Sequence, residues 1–329
     1  MRAPMEAYVC RRYGGPEVVE LAEVPTPAPK RGEVLVKVLA TTVTAADWRV
    51  RTLDVPKGFG TLSRLALGVS RPRQPILGTE LAGVVEAVGD GVAAFAPGDE
   101  VLAFPGGRMG AHAQYCAIAQ YRPIVRKPAK LSFEEATSLP FGATTAIHYL
   151  RAARLQAGER VLVVGASGGV GTALVQLAKH QGAHVTGVAS ARNLDLVRSL
   201  GADAAVDYAR EDPLAAGETY DVIADTTGGA TYARASRALR DGGRLLAIAG
   251  DLPDMLAAAY APLRGHRVVA GPAGERPEDV REVARLAETG ALRPVVEKVY
   301  GWHEMREAHA HVQTRRKRGS VVVRVRHDA

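Results

Sequence analysis

The sequence predicts an α/β protein in which a doubly wound parallel sheet, covered by helices, is combined with a second, mostly β domain. Short apolar runs alternate with helix-like segments from ERVLVVG at 159–165 to RLLAIAG at 244–250, and this alternation indicates βαβ units with a parallel sheet. A glycine cluster directly follows the first of these runs. The first 122 residues are instead rich in glycine, proline and short alternating apolar runs, which is typical of a compact β domain.

The elements are assigned in chain order from these patterns. Strands are predicted in the N-terminal region at EVLVKVLATTV (33–43), LAGVVEAVG (81–89) and DEVLAFPG (99–106). From about Leu131 onward, strands and helices alternate: ERVLVVG, then TALVQLAKHQG, HVTGVAS, NLDLVRSLG, YDVIADT, YARASRALRDGG and RLLAIAG. In the C-terminal region, PEDVREVARLAETG (277–290) has helical spacing, and RPVVEKVYG and SVVVRVRH are strand-like.

Length and composition bound the class of protein. A chain of 329 residues exceeds the usual size of one domain, so about two are expected. No apolar run reaches the ~18 residues that span a bilayer, and the first residues lack the apolar core of a secretory signal. Two cysteines, Cys10 and Cys116, cannot form a disulfide framework. We therefore expect a cytoplasmic protein without a membrane span.

The positive charge raises one alternative function. A formal net charge of +7 and the run RRKR at 315–318 are compatible with nucleic-acid binding. Aromatic residues make up only 5% of the chain, and no motif for stacking bases is present. A solvated basic surface that attracts an anionic cofactor explains the charge better.

The glycine cluster has the spacing of a dinucleotide site. Gly165, Gly168 and Gly171 give G-x-x-G-x-x-G between a predicted strand and a predicted helix. Glycines in that position let the backbone turn tightly and approach a pyrophosphate at a helix N-terminus. The alternative is a tight turn without a ligand. The predicted cofactor contacts in this cluster are Gly165, Ser167, Gly168, Gly169, Val170 and Gly171.

The end of the second strand indicates the preferred cofactor. NAD sites usually carry Asp or Glu about 20 residues beyond the glycine motif, whereas a 2′-phosphate needs neutral or basic neighbours. No acidic residue lies between Ala166 and Leu194, and the strand ends in SAR. Ser190 and Arg192 are therefore predicted to bind the 2′-phosphate of NADPH, although Arg192 can also be an ordinary exposed residue at a helix start.

Four stretches carry a family resemblance over almost the whole chain: GGPEVVELAEVPTPAPKRGEVLVKVLATTVTAADWRVR, PILGTELAGVVEAVGDGVAAFAPGDEV, LPFGATTAIHYLRAARLQAGERVLVVGASGGVG and VRSLGADAAVDY. The sequence resembles the zinc-independent, quinone-oxidoreductase-like branch of the medium-chain dehydrogenase/reductase superfamily, near the reticulon-interacting oxidoreductases. The resemblance implies a GroES-like catalytic domain at 1–122 and 291–329, and a Rossmann NADPH-binding domain at 123–290. It also implies a cofactor cleft between the domains and a homodimer.

Zinc-containing relatives have metal ligands at positions that this chain fills differently. They carry Cys three residues before the match to Asp47 and His before the match to Glu80, where this chain has Thr44 and Thr79. A third ligand is expected where Phe141 stands. None of these side chains replaces a thiolate, imidazole or carboxylate ligand, so no zinc is predicted. His112 and Cys116 fit an alternating strand better than a metal site.

The resemblance implies hydride transfer from NADPH to the electron-poor carbon of a quinone or enone, after which the oxygen must gain a proton. Three positions are candidates for polarising that oxygen. Thr44 matches a position often occupied by Asn, Asp47 is a retained acid, and Arg49 falls where some relatives have Tyr. Arg49 either stabilises a developing oxyanion or lies at the surface. We expect Asp47 to orient a loop, since an ordinary Asp is ionised at neutral pH.

Further cofactor contacts follow from position. Thr145 matches a residue near the nicotinamide, and Tyr208 matches a tyrosine near the adenosine phosphate, although Tyr208 can equally pack against the sheet. Thr227, Gly228 and Gly250 lie at predicted strand ends, where open α/β sheets bind ligands.

Three functions thus stay open. The favoured one is an NADPH-dependent, zinc-independent oxidoreductase that reduces a quinone or enone; the alternatives are a non-catalytic NADPH-binding or adaptor protein of the same fold, and a nucleic-acid-binding protein. The segment DVPKGFGTLSRLAL (54–67) is predicted to be a loop that covers a small hydrophobic substrate. Ser320 stands where relatives commonly have a lysine that contacts the cofactor.

Overall fold

The computed structural model describes residues 3–55, 58–215 and 217–327. The strands are β1 (Met5–Cys10), β2 (Val19–Val24), β3 (Glu33–Val43), β4 (Leu81–Val88), β5 (Glu100–Ala103), β6 (Tyr115–Ala119), β7 (Ile124–Arg126), β8 (Arg160–Val164), β9 (His184–Ala189), β10 (Ala204–Asp207), β11 (Tyr220–Asp225), β12 (Leu239–Ala247), β13 (Arg267–Ala270), β14 (Val296–Tyr300) and β15 (Ser320–Arg324). The helices are α1 (Ala45–Thr52), α2 (Gly60–Leu67), α3 (Phe133–Thr137), α4 (Pro140–Ala153), α5 (Gly169–His180), α6 (Leu194–Ser199), α7 (Tyr232–Ala235), α8 (Leu252–Tyr260), α9 (Pro277–Glu288) and α10 (Met305–Gln313).

The chain divides into two compact units. The first contains Met1–Val55, Gly60–Phe141 and Glu275–Ala329, and the second contains Pro56–Phe59 and Gly142–Gly274. The predicted domain boundaries at 122/123 and 290/291 stay a prediction. Within the first unit, α9 contacts β7 and α3 contacts β3.

The first unit is built on a mixed sheet in the order β14-β15-β3-β4-β5-β7, with β6 also paired to β3. The long strand β3 lies at its centre, antiparallel to β4, β6 and β15. Val34, Val36 and Val38 of β3 are fully buried in the core of this unit. The β-rich character predicted for the N-terminal region therefore comes from β3 and the strands that pair with it.

The second unit contains a six-stranded sheet in the order β10-β9-β8-β11-β12-β13. All its pairings are parallel, and this strand order is that of the Rossmann fold. The apolar strand β8 is buried at Val161, Leu162 and Val163, as expected for a parallel strand covered on both faces. Strand order reverses between β8 and β11, and open α/β sheets bind their ligands at such a switch point.

Two element predictions are wrong in part. Within YARASRALRDGG, predicted as a helix, only Tyr232–Ala235 is helical, and Leu239 already begins β12. Leu239 pairs with Tyr220 of β11 and is buried, so pairing in the sheet overrides the helical pattern. The segment 54–67, predicted as a loop, contains helix α2; its residues 56 and 57 lie outside the described part.

No helix in the described part of the chain is long and apolar enough to cross a membrane.

Candidate active site

The turn after β8 requires glycine at two positions. Gly165 has φ +82°, a left-handed conformation that L side chains rarely adopt, and a Cβ there would overlap Thr226 and Thr227. A Cβ on Gly171 would overlap the Gly165 carbonyl oxygen. These two glycines therefore allow the turn and the start of α5 to pack against each other without side chains.

Helix α5 presents its first backbone N–H groups at this turn. Its N-cap residue, Gly168, has no side chain to bond them, and Gly169 and Val170 form the first two helical positions, partly exposed. A Cβ on Gly142 of α4 would overlap the Gly169 carbonyl oxygen, so α4 and α5 approach closely here. An uncapped helix N-terminus in a glycine turn suits a phosphate anion.

The end of β9 is tied to the same turn through Asn193. The Asn193 Nδ2 donates to the Ser167 hydroxyl at 3.0 Å and to the Ser190 hydroxyl at 3.3 Å. Ser190 begins directly after β9, and Arg192 is exposed on the following 3₁₀ turn. The structure thus joins the predicted residues Ser167 and Ser190, with Arg192 nearby along the chain.

A buried carboxylate shapes the loop at the end of β11. Asp225 accepts hydrogen bonds from the backbone N–H groups of Thr227 at 2.8 Å, Gly228 at 3.2 Å and Ala230 at 2.8 Å. It also accepts the Thr227 hydroxyl at 2.8 Å. The loop that carries Thr227 and Gly228 is therefore held at the switch point by Asp225.

The other predicted cofactor residues lie in the same unit. Gly250 follows β12, where its N–H donates to the Ala247 carbonyl at 3.2 Å. Tyr208 follows β10, its ring is exposed, and its N–H donates to the Ala189 carbonyl at 3.2 Å. Because Ala189 immediately precedes Ser190, Tyr208 lies beside the end of β9. Thr145 lies on α4, partly exposed.

In the first unit, Thr44 and Asp47 form a capping box at the start of α1. The Asp47 Oδ2 accepts from the Thr44 N–H at 2.7 Å and from the Thr44 hydroxyl at 2.6 Å. Its Oδ1 accepts from the Gly78 N–H at 2.8 Å. Asp47 is fully buried. Its carboxylate therefore joins α1 to the loop before β4, and Thr79 of that loop lies 3.2 Å from the Thr44 hydroxyl.

Beside this network lies a second buried carboxyl group. Glu80 accepts a hydrogen bond from the Thr42 hydroxyl at 2.5 Å through Oε1 and from the Phe141 N–H at 2.7 Å through Oε2. Burial raises the pKa of Glu80 from 4.5 to about 8, although both hydrogen bonds and the charge of Lys317 oppose the rise. Burial also lowers the pKa of Lys317 to about 8. Burial thus favours the neutral form of Glu80.

Comparisons with known proteins match both parts of this architecture. A family model described as an alcohol dehydrogenase GroES-like domain matches residues 30–132, and one described as a zinc-binding dehydrogenase matches 200–323. The chain is 30% identical over 331 residues to the chloroplastic NADPH-dependent alkenal/one oxidoreductase of Arabidopsis thaliana, covering 97% of this chain and 79% of the relative.

This chain belongs to the medium-chain dehydrogenase/reductase family, in its quinone-oxidoreductase-like branch.

Two further comparisons agree with this membership. The chain is 30% identical over 368 residues to the mitochondrial NAD(P)H oxidoreductase RTN4IP1 of Mus musculus, covering 98% of this chain and 89% of the relative. The structure of the quinone oxidoreductase from Coxiella burnetii superimposes with a TM-score of 0.87 at 27% identity, covering 98% of this chain and all of that one. The predicted family and the predicted α/β fold, with its Rossmann sheet and GroES-like domain, are confirmed.

The metal-ligand positions of this medium-chain dehydrogenase/reductase do not fit a catalytic zinc ion. Thr44 and Thr79 offer neutral hydroxyls, of which Thr44 bonds both Asp47 and Thr79, and Phe141 offers no side-chain atom that can bind a metal. The Nε2 of His112 lies 2.9 Å from the Thr42 carbonyl oxygen. Within residues 3–55, 58–215 and 217–327, no group of three or more His, Cys, Asp or Glu side chains that could hold a metal is found.

Arg49, the third predicted catalytic residue, lies on α1 two positions after Asp47 and is partly exposed. The structure therefore groups Thr44, Asp47 and Arg49 at one helix. Sequence reasoning misses Asp225, Asn193 and the environment of Glu80. Only Asp225 has a local signal, because an aspartate followed by Thr-Thr-Gly at a strand end is a typical Asx turn.

Proposed function

We propose that this chain is an NADPH-dependent oxidoreductase that transfers hydride to a quinone or an α,β-unsaturated carbonyl without zinc. The observation that carries the proposal is the arrangement after β8 and β9. There the hydroxyls of Ser167 and Ser190 are joined through Asn193 beside the exposed Arg192, in a stretch without a carboxylate from Ala166 to Leu194. Such an environment accepts a 2′-phosphate and lacks the acid that binds a free ribose 2′-hydroxyl.

The residues of the second unit fit the coenzyme part by part. At the glycine turn of Gly165, Gly168 and Gly171 no side chain caps the first N–H groups of α5, and these N–H groups are proposed to bind the pyrophosphate. Arg192 supplies a positive charge for the 2′-phosphate. Thr145, Tyr208, Thr227, Gly228 and Gly250 are proposed as the remaining contacts.

Bound NADPH supplies the hydride in this reaction. In the first unit, Asp47 accepts three hydrogen bonds, so its role is to hold α1 and the Gly78 loop rather than to donate a proton. We assign polarisation of the substrate oxygen to Arg49, because a guanidinium donates hydrogen bonds to a developing oxyanion, whereas the Thr44 hydroxyl gives its one hydrogen to Asp47.

A hydrophobic substrate is proposed from the segment that contains α2. Leu65 of α2 and Val69, two residues after its end, are exposed apolar residues, and an exposed apolar surface in a functional segment favours an apolar ligand. The relatives are named for alkenals, enones and quinones, which are electron-poor carbonyl compounds with apolar bodies.

We further propose that the protein is a homodimer and that it is located in the cytoplasm. Strand β13 ends the six-stranded sheet in the described part of the chain, with exposed Leu256 and Leu263 nearby in sequence, and an exposed sheet edge favours pairing with a second copy. The nucleic-acid alternative gains no support: Arg315 of the RRKR run lies over the Trp48 ring at 4.5 Å and pairs with Asp54 at 3.6 Å.

The test measures binding and turnover separately. Fluorescence titration gives the affinities for NADPH and NADH, and loss of NADPH absorbance is followed with 1,4-benzoquinone, 9,10-phenanthrenequinone and a medium-chain enone, before and after dialysis against a zinc chelator. We expect NADPH preference and turnover that survives dialysis. Binding without turnover supports the non-catalytic alternative; loss of activity on dialysis refutes zinc independence; preference for NADH refutes the cofactor assignment.

A further inference from the structure

The Asn193 side chain lies between two serines, Ser167 in the turn after β8 and Ser190 directly after β9. Asn193 is the last residue of the 3₁₀ turn Ala191–Asn193, and its side chain is buried, with the residue 6% exposed. Its single Nδ2 group reaches two hydroxyl oxygens that lie 23 positions apart in sequence, those of Ser167 and Ser190. One buried amide therefore links the turn after β8 to the end of β9.

The direction of these hydrogen bonds matters for ligand binding. A serine hydroxyl has one hydrogen to donate and lone pairs to accept with. Because the Asn193 amide donates, the oxygens of Ser167 and Ser190 act as acceptors, and each hydroxyl hydrogen is directed elsewhere. A phosphate oxygen only accepts hydrogen bonds, so two serines used in this way suit a phosphate.

An aspartate at position 193 has nearly the same shape but the opposite hydrogen-bonding character. Its carboxylate accepts only, so it takes the hydrogens of Ser167 and Ser190 for itself. It also places a negative charge next to the end of β9, where it repels a phosphate. The choice between Asn and Asp at this position thus separates a site that donates to an anion from one that excludes it.

We propose that Asn193 is a positioning residue for coenzyme selectivity: by donating to both serines, it turns their hydroxyl groups into donors for the 2′-phosphate of NADPH. This inference rests on the proposed function, since it takes NADPH as the ligand of the turn. Arg192 contributes charge from the adjacent position, and Asn193 contributes the orientation of the neutral donors.

The variants Asn193→Asp and Asn193→Ala test the proposal through the ratio of NADPH to NADH affinity. Hydrogen bonds to charged groups correspond to about tenfold to hundredfold in affinity. We expect Asn193→Ala to weaken NADPH binding about tenfold and Asn193→Asp about a hundredfold, with little change for NADH. We expect the two variants to weaken the binding of the competitor 2′,5′-ADP in the same order, and to leave the binding of 5′-AMP unchanged.

Asp195→Asn serves as the matched control, because it changes one charge nearby at a fully exposed side chain paired with Arg198 and leaves both serines untouched. We expect it to alter NADPH affinity less than about twofold, as is usual for exposed charges. A double-mutant cycle supplies the second measurement: in a Ser167→Ala, Ser190→Ala background, Asn193→Ala is expected to have no further effect on NADPH affinity.

The outcomes separate this inference from the proposed function. If the wild-type protein prefers NADH, the cofactor assignment and the role of Asn193 both fail. If the wild type prefers NADPH but the position 193 variants weaken both coenzymes equally, Asn193 is merely structural and only this inference fails. A full effect of Asn193→Ala in the serine-free background overturns it as well.

Discussion

Glu80→Gln isolates the effect of one buried ionisable group. Gln has almost the shape of Glu and accepts the Phe141 N–H through its carbonyl oxygen. Its amide N–H donates to the Thr42 hydroxyl, which thereby changes from the donor that it is beside Glu80 to an acceptor. Both bonds that the structure shows for the wild-type carboxyl group are thus replaced. The substitution therefore removes the capacity to ionise while leaving the packing of the first unit in place.

The expected magnitude follows from the raised pKa of Glu80. The unfolded chain loses this proton near pH 4.5, whereas the folded protein keeps it until about pH 8. Since the folded state binds the extra proton in this interval, the contribution of Glu80 to stability is fully present below pH 4.5 and is lost as the pH rises to about 8. At about 1.4 kcal/mol per pH unit, the loss amounts to about 5 kcal/mol.

Urea denaturation followed by tryptophan fluorescence measures the free energy of unfolding of the first unit, which contains Glu80. The two tryptophans of the chain, Trp48 and Trp302, are both buried in the first unit, so their signal reports its unfolding. We expect Glu80→Gln to gain stability relative to wild type as the pH rises from 5 to 8, by several kcal/mol at pH 8. Glu23→Gln, at an exposed glutamate of β2, is the control. A difference between Glu80→Gln and wild type that does not change with pH would refute the reasoning.

Three more substitutions test the glycine turn after β8, the capping box of α1 and the proposed contact of Arg192 with the 2′-phosphate. Gly171→Ala places a Cβ against the Gly165 carbonyl; we expect a loss of about 3 kcal/mol in stability and of NADPH binding, and normal binding by calorimetry would contradict the close approach. Asp47→Ala leaves the Thr44 and Gly78 N–H groups without the carboxylate; we expect a loss of about 3 kcal/mol in urea denaturation, and a neutral result would show that the network contributes nothing. Arg192→Ala is expected to weaken NADPH binding about tenfold and to leave NADH binding unchanged, so an equal effect on both coenzymes would rule out a contact with the 2′-phosphate.

The parallel sheet is predictable from sequence because its signals are local. The buried strand β8, the glycine turn and helix α5 follow one another within a few residues, and each imposes its own pattern. The prediction of a helix at YARASRALRDGG is wrong in part because the signal that decides this segment is not local. Leu239 joins β12 through its pairing with Tyr220, a residue 19 positions away that local spacing does not reveal.

The same distinction applies to the site. Gly165 and Gly171 are predictable because a tight strand-to-helix turn demands glycine wherever it occurs. Asn193 and Glu80 are not, because their surroundings are assembled from distant parts of the chain. Glu80 meets Phe141 across 61 positions and Asn193 meets Ser167 across 26. In a single sequence, each is one more polar residue near a turn or strand.

The position of β15 between β14 and β3 has a consequence for biosynthesis. Strand β15 pairs with the part of β3 from Ala40 to Val43, but it is synthesised only after all the elements that lie between Val43 and Ser320. The six strands of the second unit are complete once Ala270 has left the ribosome, so this unit can fold while translation continues. Until β15 is synthesised, the part of β3 from Ala40 to Val43 lacks this partner, and an unpaired strand edge is a site for aggregation. A chain whose translation stops before Ser320 can therefore fold its second unit while β3 keeps an unpaired edge from Ala40 to Val43.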